Sequence, residues 1–155
     1  MHNRMQIQFS AQARNEAFAR VAIAAFVVQL NPTLPEMADV KTAVSEAVTN
    51  AIVHGYAGRE DGLVTVEACY DEQHMLSVSI ADSGCGIQDV ATAMLPFYST
   101  GDGAERSGMG FCVMQTFMDA VEVNSTVGEG TSVIMRKEIS GESGLHRERI
   151  LDEIG

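Results

Sequence analysis

The segment from Ser45 to Tyr56 reads SEAVTNAIVHGY, and the spacing of its polar residues decides how it can fold. Glu46, Asn50 and His54 recur at every fourth position, with mostly apolar residues between them. Residues four apart lie on one face of an α-helix, so the pattern predicts a helix with a stripe of carboxylate, carboxamide and imidazole. Such groups on a half-buried face lose water unless a ligand or a neighbour bonds them. The stripe therefore indicates a ligand site; the alternative is a stripe that simply faces solvent.

Two further elements are predicted before this helix. Residues 5–9 alternate weakly in polarity and predict a short strand, after which Ser10 can cap a helix from about Ala13 to Gln29. The second half of that helix is apolar on all sides, so we expect it to pack against the domain and against a second surface. The helix of the polar stripe then begins near Pro35 and ends at the loop of residues 55–62.

Two strands with hairpin spacing follow, Leu63–Tyr70 and Met75–Ala81. The apolar residues of the second strand share one face, and the period of two places Asp82 on that inward face. Residues 83–87, SGCGI, contain two glycines, which allow a sharp turn and the close approach of a flat ligand. The sequence thus predicts a carboxylate aimed into a binding site; the alternative is that Asp82 caps a short helix from Ile87.

A second glycine-rich stretch, SGMG at residues 107–110, opens a predicted helix that ends near Asp119. With Ser107 as the cap, the glycines of this stretch leave backbone N–H groups exposed at the positive end of the helix dipole. This arrangement is suited to binding phosphate. The alternative is that Gly108 and Gly110 only punctuate a loop. A predicted hairpin of residues 121–127 and 131–137 follows, and a charged tail begins at Ser140.

Composition limits the class of protein. With 155 residues and 46% hydrophobic content, the chain is long enough for one domain with a full core. Its three cysteines show no paired spacing, so neither disulfides nor a zinc site is predicted, and a cytoplasmic location is expected. The longest apolar run, Val21–Val28, is too short for a membrane span and no export signal is recognised, so we expect no membrane partner.

The net charge of −11 is unevenly distributed along the chain. Residues 1–35 contain three arginines and one acid, whereas residues 36–105 contain twelve acids against Lys41 and Arg59. The acidic middle would repel a nucleic-acid backbone, and a polyphosphate bound there would need a divalent cation such as Mg²⁺. Arg14 and Arg20 on the first helix are a local exception, and we predict that they bind an acidic, partly apolar partner. The alternative is that both arginines only solvate the helix.

Three features of the sequence together describe an ATP site. The inward carboxylate is suited to the purine, the glycine-rich stretch to the phosphates, and the helix with Glu and Asn to a metal and a general base. The GxxxxGK[ST] loop and the histidine-arginine-aspartate catalytic loop of other nucleotide enzymes are absent from the sequence. ATP would therefore bind by a different scheme.

Four segments, EAVTNAIVHGY, DSGCGI, ERSGMGF and GEGT, resemble the N, G1, G2 and G3 boxes of the GHKL ATPase and kinase superfamily and occur in the same order. The resemblance covers about residues 5–137 and leaves 138–155 as a tail. More narrowly, the short chain and its ERSGMGF segment are similar to the anti-sigma factor serine kinases, especially those of endospore-forming Bacillus-type bacteria. The resemblance implies a single α+β domain, a two-layer α/β sandwich of the GHKL (Bergerat-type) ATP-binding fold with a mixed, largely antiparallel sheet.

The same resemblance implies an activity and partners. It implies a homodimer that binds ATP or ADP with Mg²⁺, inhibits a sporulation sigma factor, and phosphorylates a serine of an anti-anti-sigma antagonist. Carried over by position, Glu46 is the general base, Asn50 ligates Mg²⁺, and Asp82 accepts a hydrogen bond from the adenine amino group. His54 receives no assigned chemistry. The other implied nucleotide contacts are Gly84 and Gly86 at the ring, Gly108 and Gly110 at the phosphates, Arg106 at the terminal phosphate, and Thr131 beside the adenine pocket.

Two other functions fit the same residues: a histidine-kinase-like catalytic domain, and an ATP-gated binding module without phosphotransfer. The first is disfavoured because the sequence shows no additional helical hairpin to carry a phosphoacceptor histidine. The four histidines lie near the termini, in the polar stripe, or in a predicted turn. Only a phosphotransfer measurement separates a serine kinase from the binding module.

Overall fold

The structure is a computed structural model that describes residues 3–95 and 110–141. After the first strand, helices and strands follow one another in pairs, and each of the two long helices is extended by a different kind of turn. A 3₁₀ turn, Val28–Leu30, follows the first helix, and a π-helical segment, Asn50–Gly55, continues the second. The elements are β1 (Asn3–Ser10), α1 (Asn15–Val27), α2 (Leu34–Thr49), β2 (Leu63–Tyr70), β3 (Met75–Asp82), α3 (Val90–Ala93), α4 (Phe111–Phe117), β4 (Ala120–Thr126) and β5 (Gly130–Glu138).

The five strands form one sheet in the order β1-β2-β3-β5-β4. Every neighbouring pair of strands is antiparallel. The α+β class and the two-layer arrangement are confirmed, while the described sheet is antiparallel throughout rather than mixed. Short hairpins join β2 to β3 and β4 to β5, and a hairpin always pairs its strands antiparallel.

The hydrophobic core lies between one face of the sheet and the helices. Alternate residues of β2 and β3 are fully buried, as the period of two predicts for strands covered on one face. The buried residues of α1 and α2 recur with helical spacing and meet them. The central members of this core are Ala19, Ile23, Val27, Val40, Val44, Val48, Val64, Val66, Leu76, Val78 and Ile80.

The two long helices begin differently. Thr33 caps α2 by accepting a hydrogen bond from the Glu36 backbone N–H, and the Glu36 side chain accepts one from the Thr33 N–H in return, which completes a capping box. Ser10, predicted to cap the first helix, instead ends β1, and its carbonyl oxygen accepts a hydrogen bond from the Asn15 side chain at 2.8 Å. Arg14 occupies the N-cap position of α1. The prediction that Ser10 caps the first helix was wrong, because a turn at residues 13–14 separates the end of β1 from the start of α1.

Candidate functional site

A cavity of about 150 Å³ lies where the C-terminal end of α2 passes over β3 and β5. Its wall combines the helix, the glycine loop after β3, the last strand and the first residue of α4. Apolar residues form the floor, and a few polar groups converge on it, which is the usual character of a small-molecule site. The lining residues are Ala47, Asn50, Ala51, His54, Gly55, Ile80, Asp82, Cys85, Gly86, Ile87, Phe111, Thr131 and Val133.

The helix that carries the polar stripe changes its hydrogen-bonding pattern inside the stripe. It is α-helical to Thr49 and π-helical from Asn50 to Gly55. π-helical turns are wider, are rare, and occur mostly at functional sites. Asn50 and His54 both line the cavity, whereas Glu46, the third residue of the predicted stripe, does not.

Asp82 is the acidic residue among the described residues that line the cavity, and it ends β3 opposite Thr131 of β5. It lines the cavity together with Ile80, which has the same parity on β3, so its side chain lies on the inward face of the strand. Its Oδ1 accepts a hydrogen bond from the Gly84 N–H at 2.9 Å. Burial raises the pKa of the Asp82 carboxyl, and hydrogen bonds from the backbone N–H groups of Gly84 and Thr131 oppose that rise. A partly desolvated carboxylate of this kind gains when a ligand donates a further hydrogen bond.

The glycine loop is held directly against the end of the helix. The Cys85 N–H donates to the Gly55 carbonyl oxygen at 2.8 Å, and a Cβ built on Gly84 would lie 1.9 Å from the same oxygen. Gly86 has a φ of +75°, and a Cβ there would lie 2.4 Å from the Thr126 carbonyl oxygen. Glycine is therefore required at both positions for close packing, and at Gly86 also for backbone conformation. The contact of the loop with the Gly55 carbonyl fixes the position of Asp82, the residue just before the loop.

We expect Gly84→Ala to lower the free energy of unfolding by about 1 to 3 kcal/mol, because the added methyl group must push the loop away from the Gly55 carbonyl. The same displacement moves Asp82, so nucleotide affinity should fall as well. Ser83→Ala is the matched control, since Ser83 is exposed in the same loop and its backbone N–H bond is retained. Chemical denaturation of both variants measures the effect. Equal stability of Gly84→Ala and wild type would contradict it.

Two residues that the sequence analysis missed support the cavity from outside. The Tyr56 hydroxyl accepts a hydrogen bond from the Ser83 N–H at 2.8 Å and donates to the Leu63 carbonyl, so it joins the loop to β2. Ser125 on β4 bonds the Thr131 hydroxyl at 2.8 Å and accepts from the Ile87 N–H at 2.7 Å. The only sequence signal for Tyr56 is its position, two residues after His54 at the end of the polar stripe. Ser125 had none, because its partners are distant in sequence.

Glu46 lies at the edge of the cavity rather than in its wall. It borders a surface groove between α1 and α2, whereas Asn50, one turn later, lines the cavity. A Cβ built on Gly110 would lie 2.3 Å from Glu46 Oε2, so the carboxylate packs against the residue that precedes α4. Gly110 has a φ of +67°, which also favours glycine. Glu46 thus stands between the cavity, the groove and the start of α4.

Two predicted nucleotide contacts, Arg106 and Gly108, lie outside the described residues. Of the others, Asn50, Asp82, Gly86 and Thr131 line the cavity. Gly84 lies in the loop and packs against the Gly55 carbonyl, and Gly110 packs against Glu46. The remaining predicted residues are Arg20, which is on α1, and Arg14, which precedes it. Arg20 borders the groove together with Glu46, while Arg14 is exposed at the N-cap position.

The donor set of the cavity suits a magnesium ion held mainly by a bound nucleotide. Among the described residues, no three His, Cys, Asp or Glu side chains come together as a metal site. The Asn50 side-chain oxygen is a hard ligand, and Mg²⁺ usually keeps several waters and phosphate oxygens with one or two protein ligands. Asn50 in the cavity wall therefore fits such an ion, with the rest of its coordination supplied by phosphate and water.

Comparison with known proteins identifies the family. A family model of the histidine kinase-like ATPase domain matches residues 9–137. The chain belongs to this family. The anti-sigma F factor of Clostridium beijerinckii is 56% identical over 138 residues, which cover 89% of this chain and 96% of that protein. The anti-sigma F factor of Priestia megaterium is 47% identical over 145 residues, 94% of this chain and 99% of that protein.

A solved structure shows the same fold. The RsbU and RsbW domains of a Mycobacterium tuberculosis protein superpose with a TM-score of 0.64 at 18% identity, over 88% of this chain and 32% of that longer chain. The predicted GHKL fold and the resemblance to anti-sigma factors are therefore both confirmed. In the described ranges, 3–95 and 110–141, no helix has the length and apolarity needed to cross a bilayer.

Proposed function

We propose that the chain is an anti-sigma factor that binds a sporulation sigma factor and uses Mg-ATP to phosphorylate a serine of an anti-anti-sigma protein. The relatives named anti-sigma F factor support the first activity. One observation carries the second: Glu46 stands between a cavity that holds Asp82 and Asn50 and an open groove on the protein surface. A carboxylate in that position faces both a nucleotide and a protein substrate.

In the proposed complex, the adenine end of ATP occupies the cavity and lies toward β3. The Asp82 carboxylate accepts a hydrogen bond from the adenine amino group, and the ring lies against Gly86 with Thr131 beside it. Asn50 would hold the magnesium ion, and the ion would neutralise phosphate charge and orient the terminal phosphate. The phosphates lie toward Gly110 in this proposal; the resemblance also assigns Gly108 and Arg106 to them, and both residues lie outside the described part of the chain.

The proposed transfer needs a base at the attacking hydroxyl. The serine Oγ forms a bond to the γ-phosphorus of ATP while the bond from that phosphorus to the bridging oxygen breaks, leaving ADP. Glu46 accepts the serine proton as the new bond forms. Glu46 is one helical turn before Asn50, the residue that would hold the ion, so its carboxylate lies at the phosphate end of the proposed complex rather than at the adenine end.

The groove between α1 and α2 is the proposed docking site of the serine-bearing segment. Arg20, Val21 and Ala24 line it from α1, and Lys41 and Glu46 are among the residues that line it from α2. Arg20 is paired with Glu16 at 3.4 Å, and Glu16 also accepts a hydrogen bond from the Ser45 hydroxyl, which ties the helices together. Two cations in an otherwise acidic protein favour an acidic partner.

The decisive experiment incubates the protein with labelled ATP, Mg²⁺ and the anti-anti-sigma protein of the same organism. Acid-stable phosphoserine on that protein supports the proposal. Acid-labile phosphate on a histidine would support the histidine-kinase-like alternative. Nucleotide binding with no transfer to protein would leave an ATP-gated binding module.

We expect Arg20→Glu to weaken binding of the sigma factor, of the antagonist or of both by about 2 kcal/mol or more, the cost typical of a central arginine anchor. The reversed charge stands in the groove and repels an acidic partner. ATP affinity and the mass of the particle should not change, because Arg20 does not line the nucleotide cavity. Titration calorimetry with each partner and with ATP measures all three quantities.

Arg136→Glu is a matched control for this substitution. Arg136 is 46% exposed and paired with Glu122 at 3.7 Å, while Arg20 is 40% exposed and paired with Glu16 at 3.4 Å. Arg136 lies on β5, on the sheet face opposite the helices. If both variants bind the partners as wild type does, the docking surface is elsewhere.

A further inference from the structure

Ser125 lies behind the nucleotide cavity, on the inward face of β4. It does not line the cavity itself, but its partner across the sheet, Thr131, does. Three polar atoms surround the Ser125 hydroxyl oxygen: the Ile87 backbone nitrogen at 2.7 Å, the Thr131 hydroxyl oxygen at 2.8 Å and the Gly130 carbonyl oxygen at 3.0 Å. Ser125 therefore joins the glycine loop after β3 to the start of β5.

The positions of the hydrogen atoms around Ser125 follow from what each neighbour can do. A backbone N–H can only donate and a carbonyl oxygen can only accept, whereas a serine hydroxyl has one hydrogen and two lone pairs. Ser125 thus accepts from the Ile87 N–H and donates its single hydrogen to the Gly130 carbonyl. Its second lone pair remains for Thr131, so the hydrogen between the two hydroxyls belongs to Thr131. In the reverse assignment, the contact with the Gly130 carbonyl would have no hydrogen.

This arrangement determines what Thr131 can offer to a ligand. Its single hydroxyl hydrogen is directed at Ser125, so the Thr131 hydroxyl oxygen can act only as an acceptor toward the cavity. Asp82, the cross-strand partner of Thr131 on β3, is also an acceptor when it is ionised. In the described part of the cavity wall, the polar side chains that β3 and β5 supply are therefore both acceptors.

We propose that Ser125 is a positioning residue for base specificity: by holding the Thr131 hydroxyl as an acceptor, it favours a purine with an amino group at position 6 over one with a carbonyl there. The inference rests on the nucleotide site of the proposed function and extends it. An amino group has two N–H donors for the two acceptors, whereas a carbonyl oxygen would face two oxygens with no hydrogen between them. A site that pairs with a polar group of its ligand discriminates against an analogue that lacks the group.

The first experiment compares the affinities of ATP and inosine triphosphate, which differ at position 6 of the purine and in the hydrogen on the adjacent ring nitrogen. Titration calorimetry of the full chain with Mg²⁺ gives the ratio of the two affinities. In Ser125→Ala, the Thr131 hydroxyl loses the acceptor of its hydrogen and can turn to donate into the cavity. We expect the preference for ATP to fall by about 2- to 10-fold, the range of one neutral hydrogen bond, mainly through tighter binding of inosine triphosphate.

Ser132→Ala is the matched control for Ser125→Ala. Ser132 follows Thr131 on β5, lies on the opposite face of the sheet and does not line the cavity. The same hydroxyl is removed from the neighbouring position, so the preference for ATP should equal that of wild type.

The second experiment tests whether Ser125 acts through Thr131. Thr131→Val keeps the shape of the side chain and removes its hydroxyl, so the preference for ATP should fall by a similar factor, in this case through weaker binding of ATP. Adding Ser125→Ala to Thr131→Val should then change the preference no further, because no hydroxyl is left to orient. The four proteins form a double-mutant cycle, in which coupling of two sites appears as non-additivity.

Denaturant unfolding of the same four proteins separates specificity from stability. Ser125→Ala should lower the free energy of unfolding in both backgrounds, because the Ile87 N–H and the Gly130 carbonyl lose their partner in each. A purely structural role would therefore act equally with and without the Thr131 hydroxyl, whereas the effect on base preference should appear only with it.

Three results would overturn the inference. An unchanged preference in Ser125→Ala shows that Ser125 does not set the Thr131 hydroxyl. An equal fall with and without the Thr131 hydroxyl shows that Ser125 acts through the glycine loop. An unchanged preference in Thr131→Val shows that Thr131 does not read the base, and this result does not depend on the folding of Ser125→Ala. In all three cases ATP still binds, so the proposed function stands; a wild type that binds neither nucleotide contradicts both.

Discussion

Glu46→Gln is expected to retain nucleotide binding while phosphotransfer falls by about 10²- to 10⁴-fold, the usual cost of losing a general base. Glutamine has nearly the same shape, so the close contact with Gly110 is preserved. The substitution removes only the ability to take the serine proton. Because Glu46 does not line the cavity, ATP and ADP should bind with wild-type affinity. Single-turnover transfer and nucleotide titration, measured on the same preparation, separate the two effects.

Glu60→Gln provides the control for Glu46→Gln. Glu60 is an exposed carboxylate in the loop before β2, outside both the cavity and the α1–α2 groove. The charge change is the same, so an effect of net charge alone would appear in both variants. Transfer that is unchanged in Glu46→Gln would show that another group accepts the proton.

Strand periodicity predicted the sheet side of the site well. The alternation of β2 and β3 follows from one covered face, so the parity of Asp82 could be extrapolated from its apolar neighbours. The glycines of the loop were also informative, because Gly84 and Gly86 are positions where only backbone fits. Both signals can be read from a few consecutive residues, the first from the alternation of a strand and the second from the lack of a glycine side chain.

The helix side of the site could be predicted only in part. A spacing of four suggested one stripe, yet Asn50 and His54 line the cavity while Glu46 borders the groove. The change to a π-helix at Asn50 depends on how the helix end packs on the glycine loop, which sequence spacing does not reveal. The same holds for Arg14 and Arg20: the sequence grouped them, and the packing of α1 on α2 separates them.

The ionised Asp82 carboxylate destabilises the nucleotide-free protein, although the same group is proposed to recognise the nucleotide. Burial raises its pKa above the ordinary aspartate value, so the ionised carboxylate is disfavoured by folding. Its contribution to stability is therefore fully present below the unfolded-state pKa and is lost as the pH rises through the folded-state pKa. Asparagine is neutral at every pH and removes this penalty. At neutral pH, nucleotide-free Asp82→Asn should be at least as stable as wild type.

Nucleotide binding should respond in the opposite direction to Asp82→Asn. An amide at this position can turn an N–H toward the adenine amino group and lose the acceptor, so the affinities for ATP and ADP should both weaken by about 1 to 3 kcal/mol, or about 5- to 150-fold. Wild-type affinity should also fall as the pH is lowered through the raised Asp82 pKa, since the protonated carboxyl is a poorer acceptor, and the variant should lack that pH dependence. Asp89→Asn, on an exposed cap of α3 outside the cavity, is the control. Nucleotide titrations of the three proteins across acidic pH measure these affinities. If Asp82→Asn binds ATP as tightly as wild type, adenine is recognised by a different group.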